Sequence, residues 1–167
     1  MKKQQKGFSL IELLIVVAII LIIAAIAIPN LIKSKLAANE AGAGGTVRTL
    51  NTGEATFSTV CPQIGYSAAL ADMGPAGAVC PSGVGIIDVV LAGGAKEGYN
   101  FTEVGATPVN GANTTFLVTA KPQTPGTTGN RMFCASQTNV IYFDPAGAAC
   151  VADNAAGTGG GPNVLGQ

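Results

Sequence analysis

The sequence predicts an α+β chain in which a long N-terminal α-helix, transmembrane in its first half, packs against a small antiparallel β-sheet head. Three observations carry this. Leu10–Ile28 is an apolar run whose only polar member is Glu12, apolar residues then recur at helical spacing as far as Phe57, and beyond Tyr99 the pattern changes to short runs rich in aromatic and β-branched residues. Composition narrows the function. Nine Lys+Arg balance nine Asp+Glu, so no net charge draws a polyanion and no dedicated nucleic-acid site is expected. Histidine is absent, which removes Ser-His and Cys-His pairs, HExxH helices and Cys2His2 zinc sites. With no Walker A or dinucleotide fingerprint either, the expectation is a chain that is not an enzyme and carries no cofactor.

The first element is a membrane helix. Nineteen residues from Leu10 to Ile28, at about 1.5 Å rise each, span close to the ~30 Å hydrocarbon core. Leu and Ala favour helix, and the need to satisfy the backbone in lipid overrides the weaker preference of the Ile and Val residues. A cleavable secretory signal would have a shorter apolar stretch and a small-x-small site, whereas here Pro29-Asn30-Leu31-Ile32-Lys33 follows. Lys2, Lys3 and Lys6, against Lys33 and Lys35 on the far side, bias the N-terminus to the cytoplasm. Without the first seven residues, six basic against nine acidic groups remain, about −3. Glu12 is the outlier in this helix. It either snorkels to the head groups or pairs with a positive charge on a neighbouring subunit.

The run Lys6-Gly7-Phe8-Ser9-Leu10-Ile11-Glu12-Leu13, after a short basic leader and before the apolar stretch and Pro29, resembles the type IV prepilin signature shared with the pseudopilins of type II secretion. The resemblance implies that a prepilin peptidase/methyltransferase cuts between Gly7 and Phe8 and methylates the new amine of Phe8, while the helix stays on the mature chain. It further implies an inner-membrane precursor in contact with lipid, then a helical homopolymer raised by an assembly platform with a cytoplasmic ATPase motor. The leader would be 1–7, the long helix 8–58 and the head 59–167. Glycine at the cut leaves an extended backbone unobstructed. The cut creates an amine four residues before Glu12, so Phe8 of one subunit and Glu12 of its neighbour are the expected register pair. Two departures stand out. Ser9 occupies a position where the family often has Thr, and Leu21 one where many pilins have Gly, which favours an intact helix there. Pro29 removes a backbone donor and clashes with the preceding turn, so a kink is expected around Ala25 to Pro29.

Beyond the proline, Ile32, Leu36, Ala43, Val47, Leu50 and Phe57 fall on one side of the helix, with Lys33, Lys35, Asn39, Arg48, Asn51 and Thr52 mostly on other faces. Gly42, Gly44, Gly45 and Gly53 soften this half by about 1 kcal/mol each relative to Ala. They predict either close helix packing in a filament or a local bend. Cys61 to Val84 reads as a long loop with one helical turn at Ser67–Asp72, and Ile86–Leu91 as a short helix stopped by Gly93-Gly94. Strands are expected at Tyr99–Val104, Thr114–Ala120, Arg131–Ala135 and Val140–Asp144, the last two joined by a hairpin at Ser136–Asn139. Lys121–Asn130, with two Pro and two Gly, reads as a longer turn.

Four cysteines, Cys61, Cys80, Cys134 and Cys150, suggest two disulfides with three possible connectivities. Neighbour pairing, Cys61–Cys80 and Cys134–Cys150, is the expectation; the lack of a CxxC pair disfavours zinc or redox chemistry. Asp144, Asp153 and Asn154 are too few oxygen ligands for calcium, so no metal site is expected. Glu40, Glu54, Asp72, Asp88, Glu97 and Glu103 read as solvated or helix-supporting singletons. The helix carries only Phe8 and Phe57 among nine aromatic residues, so the others belong mostly to the head, as core rather than as a conducting path. The expected function is a major-pilin-like structural subunit of a surface filament. The alternatives are the major pseudopilin of a type II secretion system and a non-polymerising membrane-anchored periplasmic binding module.

Overall fold

A computed structural model describes residues 8–75, 85–145 and 147, and the backbone of residues 163–164. Helix α1 covers Leu10–Val60, 51 residues, starting two residues after Phe8 and ending two after Ser58. The helical assignment is uninterrupted from Ala25 through Pro29. Two compact units divide the chain between Lys35 and Leu36. The first unit contains the apolar half of α1. The second contains the rest of α1 and the sheet.

Hydroxyl-bearing residues crowd the second half of α1, and they stay compatible with a helix because each turns its hydroxyl back onto the helix. Thr49, Thr52, Thr56 and Thr59 donate to the carbonyl four residues earlier, at 2.9–3.2 Å. The buried positions include Ala43, Val47, Leu50 and Phe57, as the spacing predicts. Two expectations are corrected. Ile32 is 52% exposed and Leu36 half-buried, because the cover given by the head begins further along. Asn51, expected on an outer face, is buried, since the elements after α1 cover an arc wider than one apolar stripe. Gly53 is buried too, and a Cβ there would press on Ile86 and Met73, so close packing within the head accounts for that glycine.

After α1 come α2 (Leu70–Met73) and α3 (Val89–Ala92), each one turn long. The helical turn expected at Ser67–Asp72 thus lies slightly later. Asp88, which interrupts the apolar run before α3, is its N-cap and accepts from the Leu91 amide at 2.8 Å. Among the described residues six strands follow: β1 (Ala95–Lys96), β2 (Tyr99–Val109), β3 (Ala112–Pro122), β4 (Met132–Ser136), β5 (Ile141–Asp144) and β6 (Asn163–Val164). They pair antiparallel in sequence order, a meander.

Strands β2 and β3 are longer than expected because Asn110 and Gly111, at φ 53° and 88°, close a tight two-residue hairpin that zips both strands to their ends. Pro108 is tolerated because β1 pairs with β2 only at Tyr99 and Asn100, leaving that edge of β2 open at the proline. The hairpin between β4 and β5 is present as expected.

One core joins these layers. Val47, Leu50 and Phe57 of α1 meet Met73, Leu91, Tyr99, Phe101, Phe116, Val118 and Phe133. The aromatic residues of the head serve this packing, with Tyr66 and Phe116 centred 4.8 Å apart and Tyr99 and Phe133 6.1 Å apart. A smaller cluster surrounds Cys134, with Leu117, Met132 and Tyr142.

The solvated reading of Glu54 and Glu103 is overturned. Glu54 is fully buried, and Glu103 and Asp144 are 7% and 8% exposed. Glu54 occupies a stripe position between Leu50 and Phe57, and Glu103 follows Tyr99 and Phe101 on the inward period of β2, so backbone geometry carries both inside.

Candidate functional site

The site built by the N-terminal residues begins at Phe8, which is 80% exposed and precedes the first helical turn. Ser9 stands at the N-cap position and Glu12 three residues later. The Ser9 amide donates to Glu12 Oε2 at 2.9 Å, and the Leu13 amide to the Ser9 carbonyl at 3.3 Å. This is the reach-back half of a capping box, and the helix dipole favours the carboxylate in this first turn. Glu12 therefore has a partner within its own chain, a third role beside snorkelling and pairing across subunits. The Ser-x-x-Glu spacing was the signal for it.

From Leu13 to Ile28 the helix is apolar on all sides. Its most apolar 18-residue window has mean hydropathy 3.3 with none of it buried, and it is long enough to cross a membrane. A helix greasy all round is stable only in lipid or among other apolar helices. Pro29 lies in the same unit and, having no N–H, leaves the Ala25 carbonyl without its usual helical donor.

Of the remaining residues singled out from the sequence, Cys61 and Cys134 are each disulfide-bonded. Cys80, Cys150, Gly7, Asp153 and Asn154 lie outside the described residues, and with them the second halves of both expected disulfides. Asp144 closes β5 opposite Met132.

Sequence reading missed a second feature, a cleft of about 450 Å³ lined by Ala37, Ala41, Gly44, Gly45, Arg48 and Phe133, with Glu40 and Arg131 at its edge. Glu40 accepts the Asn130 and Arg131 amides at 2.8 and 3.3 Å, and its other oxygen lies 3.5 Å from Arg131 Nε. Arg131 in turn sits 5.2 Å from the centre of the Phe143 ring. The pairing fixes the long turn before β4 onto α1.

Residues 2–28 match the family described as the prokaryotic N-terminal methylation motif. The chain is similar to the type IV major pilin protein PilA of Myxococcus xanthus, 48% identical over 54 residues, or 32% of this chain and 24% of that one. It is also similar to the type IV wide pilus major component PilA4 of Thermus thermophilus, 58% identical over 38 residues, or 23% and 29% of the two chains. The chain thus spans less than a third of the length of these curated relatives, 24% and 29%. No solved structure matches it. The N-terminal motif and the packing of a long helix on a small antiparallel sheet agree: the chain carries a prepilin-type N-terminal motif and is similar to type IV pilins in that segment, with a fold consistent with theirs.

Proposed function

We propose that the chain is a structural subunit of a type IV pilus. A prepilin peptidase cuts between Gly7 and Phe8 and methylates the amine of Phe8, and the product waits in the inner membrane with its N-terminus cytoplasmic. An assembly platform and a cytoplasmic ATPase then draw it into a homopolymer at the cell surface. The observation that carries this reading is the exposure of the apolar half of α1 in a chain whose second unit, the rest of α1 with the sheet, has a buried core of its own. Lipid satisfies that helix before assembly, and identical helices do so afterwards.

Transfer from lipid to a bundle of apolar helices brings little hydrophobic gain, so close packing, register pairing and head contacts must hold the polymer. Phe8 and Glu12 supply the register. The new amine of an incoming Phe8 approaches Glu12 of a neighbour, replacing the Ser9 cap with a charge pair that favours one vertical position. Pro29 gives the helix a place to bend as it enters the bundle.

Mass spectrometry of sheared surface material tests the proposal. A mature chain beginning at methylated Phe8 and abundant in long fibres supports it. Short periplasmic fibres at native expression would instead indicate a type II secretion pseudopilin, and recovery in membranes alone a non-polymerising anchored module.

A further inference from the structure

The head buries two glutamates against each other, with no cation among the described residues acting on them. Glu54 projects from α1 into the core and is fully buried. Its Oε1 accepts the Ser67 hydroxyl at 2.6 Å and its Oε2 the Ser67 amide at 2.9 Å, so Glu54 is satisfied as an ionised acceptor. Glu103 of β2 is different. Both its carboxyl oxygens are buried and neither receives a hydrogen bond. An ionised carboxylate in that position would be a bare buried charge beside another of the same sign.

A proton removes the difficulty. Protonated Glu103 becomes a donor, and Glu54 lies within its hydrogen-bonding reach. The groups acting on Glu103 are Glu54 of α1, Ser67 of the connecting segment and Asp72 of α2. Both charged members are acids. Asp72 is itself engaged by the Ala68 and Ala69 amides at 3.3 and 3.1 Å. Burial first, then the hydrogen bond with Glu54 and its charge, push Glu103 up to about 10.

We propose that Glu54 and Glu103 share one proton, and that this acid pair is a latch fastening the segment between α1 and α2 to β2. Three elements meet at it: Glu54 holds Ser67 from the helix side, Glu103 closes on Glu54 from the sheet, and Ser67 belongs to the segment between them. The same segment is tied to β3 by the Tyr66 and Asn113 amides, which bond the Asn113 and Ile64 carbonyls at 3.0 and 2.7 Å. When base removes the proton to solvent, two facing carboxylates remain and the Ser67 tether opens while the β3 tie stays. The sign follows from Glu103 alone. Its folded value is raised, so the stability it contributes is fully present below 4.5 and is lost as pH rises through about 10.

Two measurements on the full chain in detergent micelles test this. Infrared spectra at neutral pH should show a protonated-carboxyl C=O band that persists where ordinary carboxyls are ionised and is missing from Glu103→Gln. Amide hydrogen exchange at Ser67, corrected for the intrinsic base-catalysed rate, should accelerate by up to about tenfold per pH unit between 4.5 and about 10 in the native chain, level off above that, and stay flat in Glu103→Gln. Absence of the neutral-pH band overturns the proposal even if the variant does not fold, because that measurement needs the native chain alone. Parallel exchange profiles in native chain and variant would overturn it as well.

Discussion

Glu12 has two candidate duties, and one substitution separates them. As a cap it accepts the Ser9 amide at 2.9 Å, an interaction worth about 0.5–2 kcal/mol in helix N-termini. As a register group it faces the amine of a neighbouring Phe8, and two unit charges about 4 Å apart at an effective dielectric near 20 attract by roughly 4 kcal/mol before desolvation. Glu12→Gln keeps a carbonyl acceptor for Ser9 and discards the charge, while Glu12→Leu discards both. If the cap dominates, Gln restores assembly and Leu does not. If the charge pair dominates, both fail alike, because removing one partner leaves an unpaired amine among apolar helices, a penalty of about 3–5 kcal/mol or at least 100-fold per added subunit. The expected result is the second. The assay is quantitative immunoblotting of sheared fibres against membranes, in a host that carries the processing and assembly proteins, with the N-terminus sequenced in each fraction. Both variants should begin at Phe8, since the cut is made at Gly7. Ordinary fibre yield from Glu12→Gln would refute the charge-pair reasoning.

Further outcomes follow from the head. Phe57→Ala, at a fully buried core position, should lower stability by about 3–5 kcal/mol, measured by denaturant titration in micelles. Tyr99 donates its hydroxyl to the Arg131 carbonyl at 2.9 Å, and burial, then the Glu40 charge, outweigh Arg131 and push its phenol up to about 12. The stability it adds is therefore present below 10 and lost as pH rises through about 12. Tyr99→Phe should flatten the alkaline denaturation curve over that interval. Non-reducing peptide mapping should find Cys61 joined to Cys80 and Cys134 to Cys150. Any crossed pair would contradict the neighbour scheme.

The membrane helix, the stripe Ala43–Val47–Leu50–Phe57 and four of the six strands were legible because each rests on a strong local period. Strands β1 and β6 were not, since two residues define no alternation. The β2–β3 hairpin was legible in principle. Asn110-Gly111 is the strongest short-range hairpin signal, and the open edge of β2 explains why Pro108 is harmless beside it. At the N-terminal site, the motif around Gly7, Phe8 and Glu12 is readable from sequence, and so is the Ser-x-x-Glu spacing behind the cap at Ser9. The buried acids show a different failure. Each glutamate was judged by its charge, when position outranked it: Glu54 sits in the helical stripe and Glu103 in the inward register of β2. That they meet depends on how helix and sheet are stacked, which no local pattern encodes.

The strands pair strictly in chain order, so each new strand docks on the one made just before it. From β1 to β5 each pairing closes a short connection, so the loop-closure entropy of those pairings is small and contact order within the sheet stays low. On the proposed function the first part of the chain is held in a bilayer while the remainder emerges on the far side, and this order then lets the emerging portion condense progressively, ladder by ladder. It limits the interval during which open sheet edges could join those of neighbouring copies before the fibre is built.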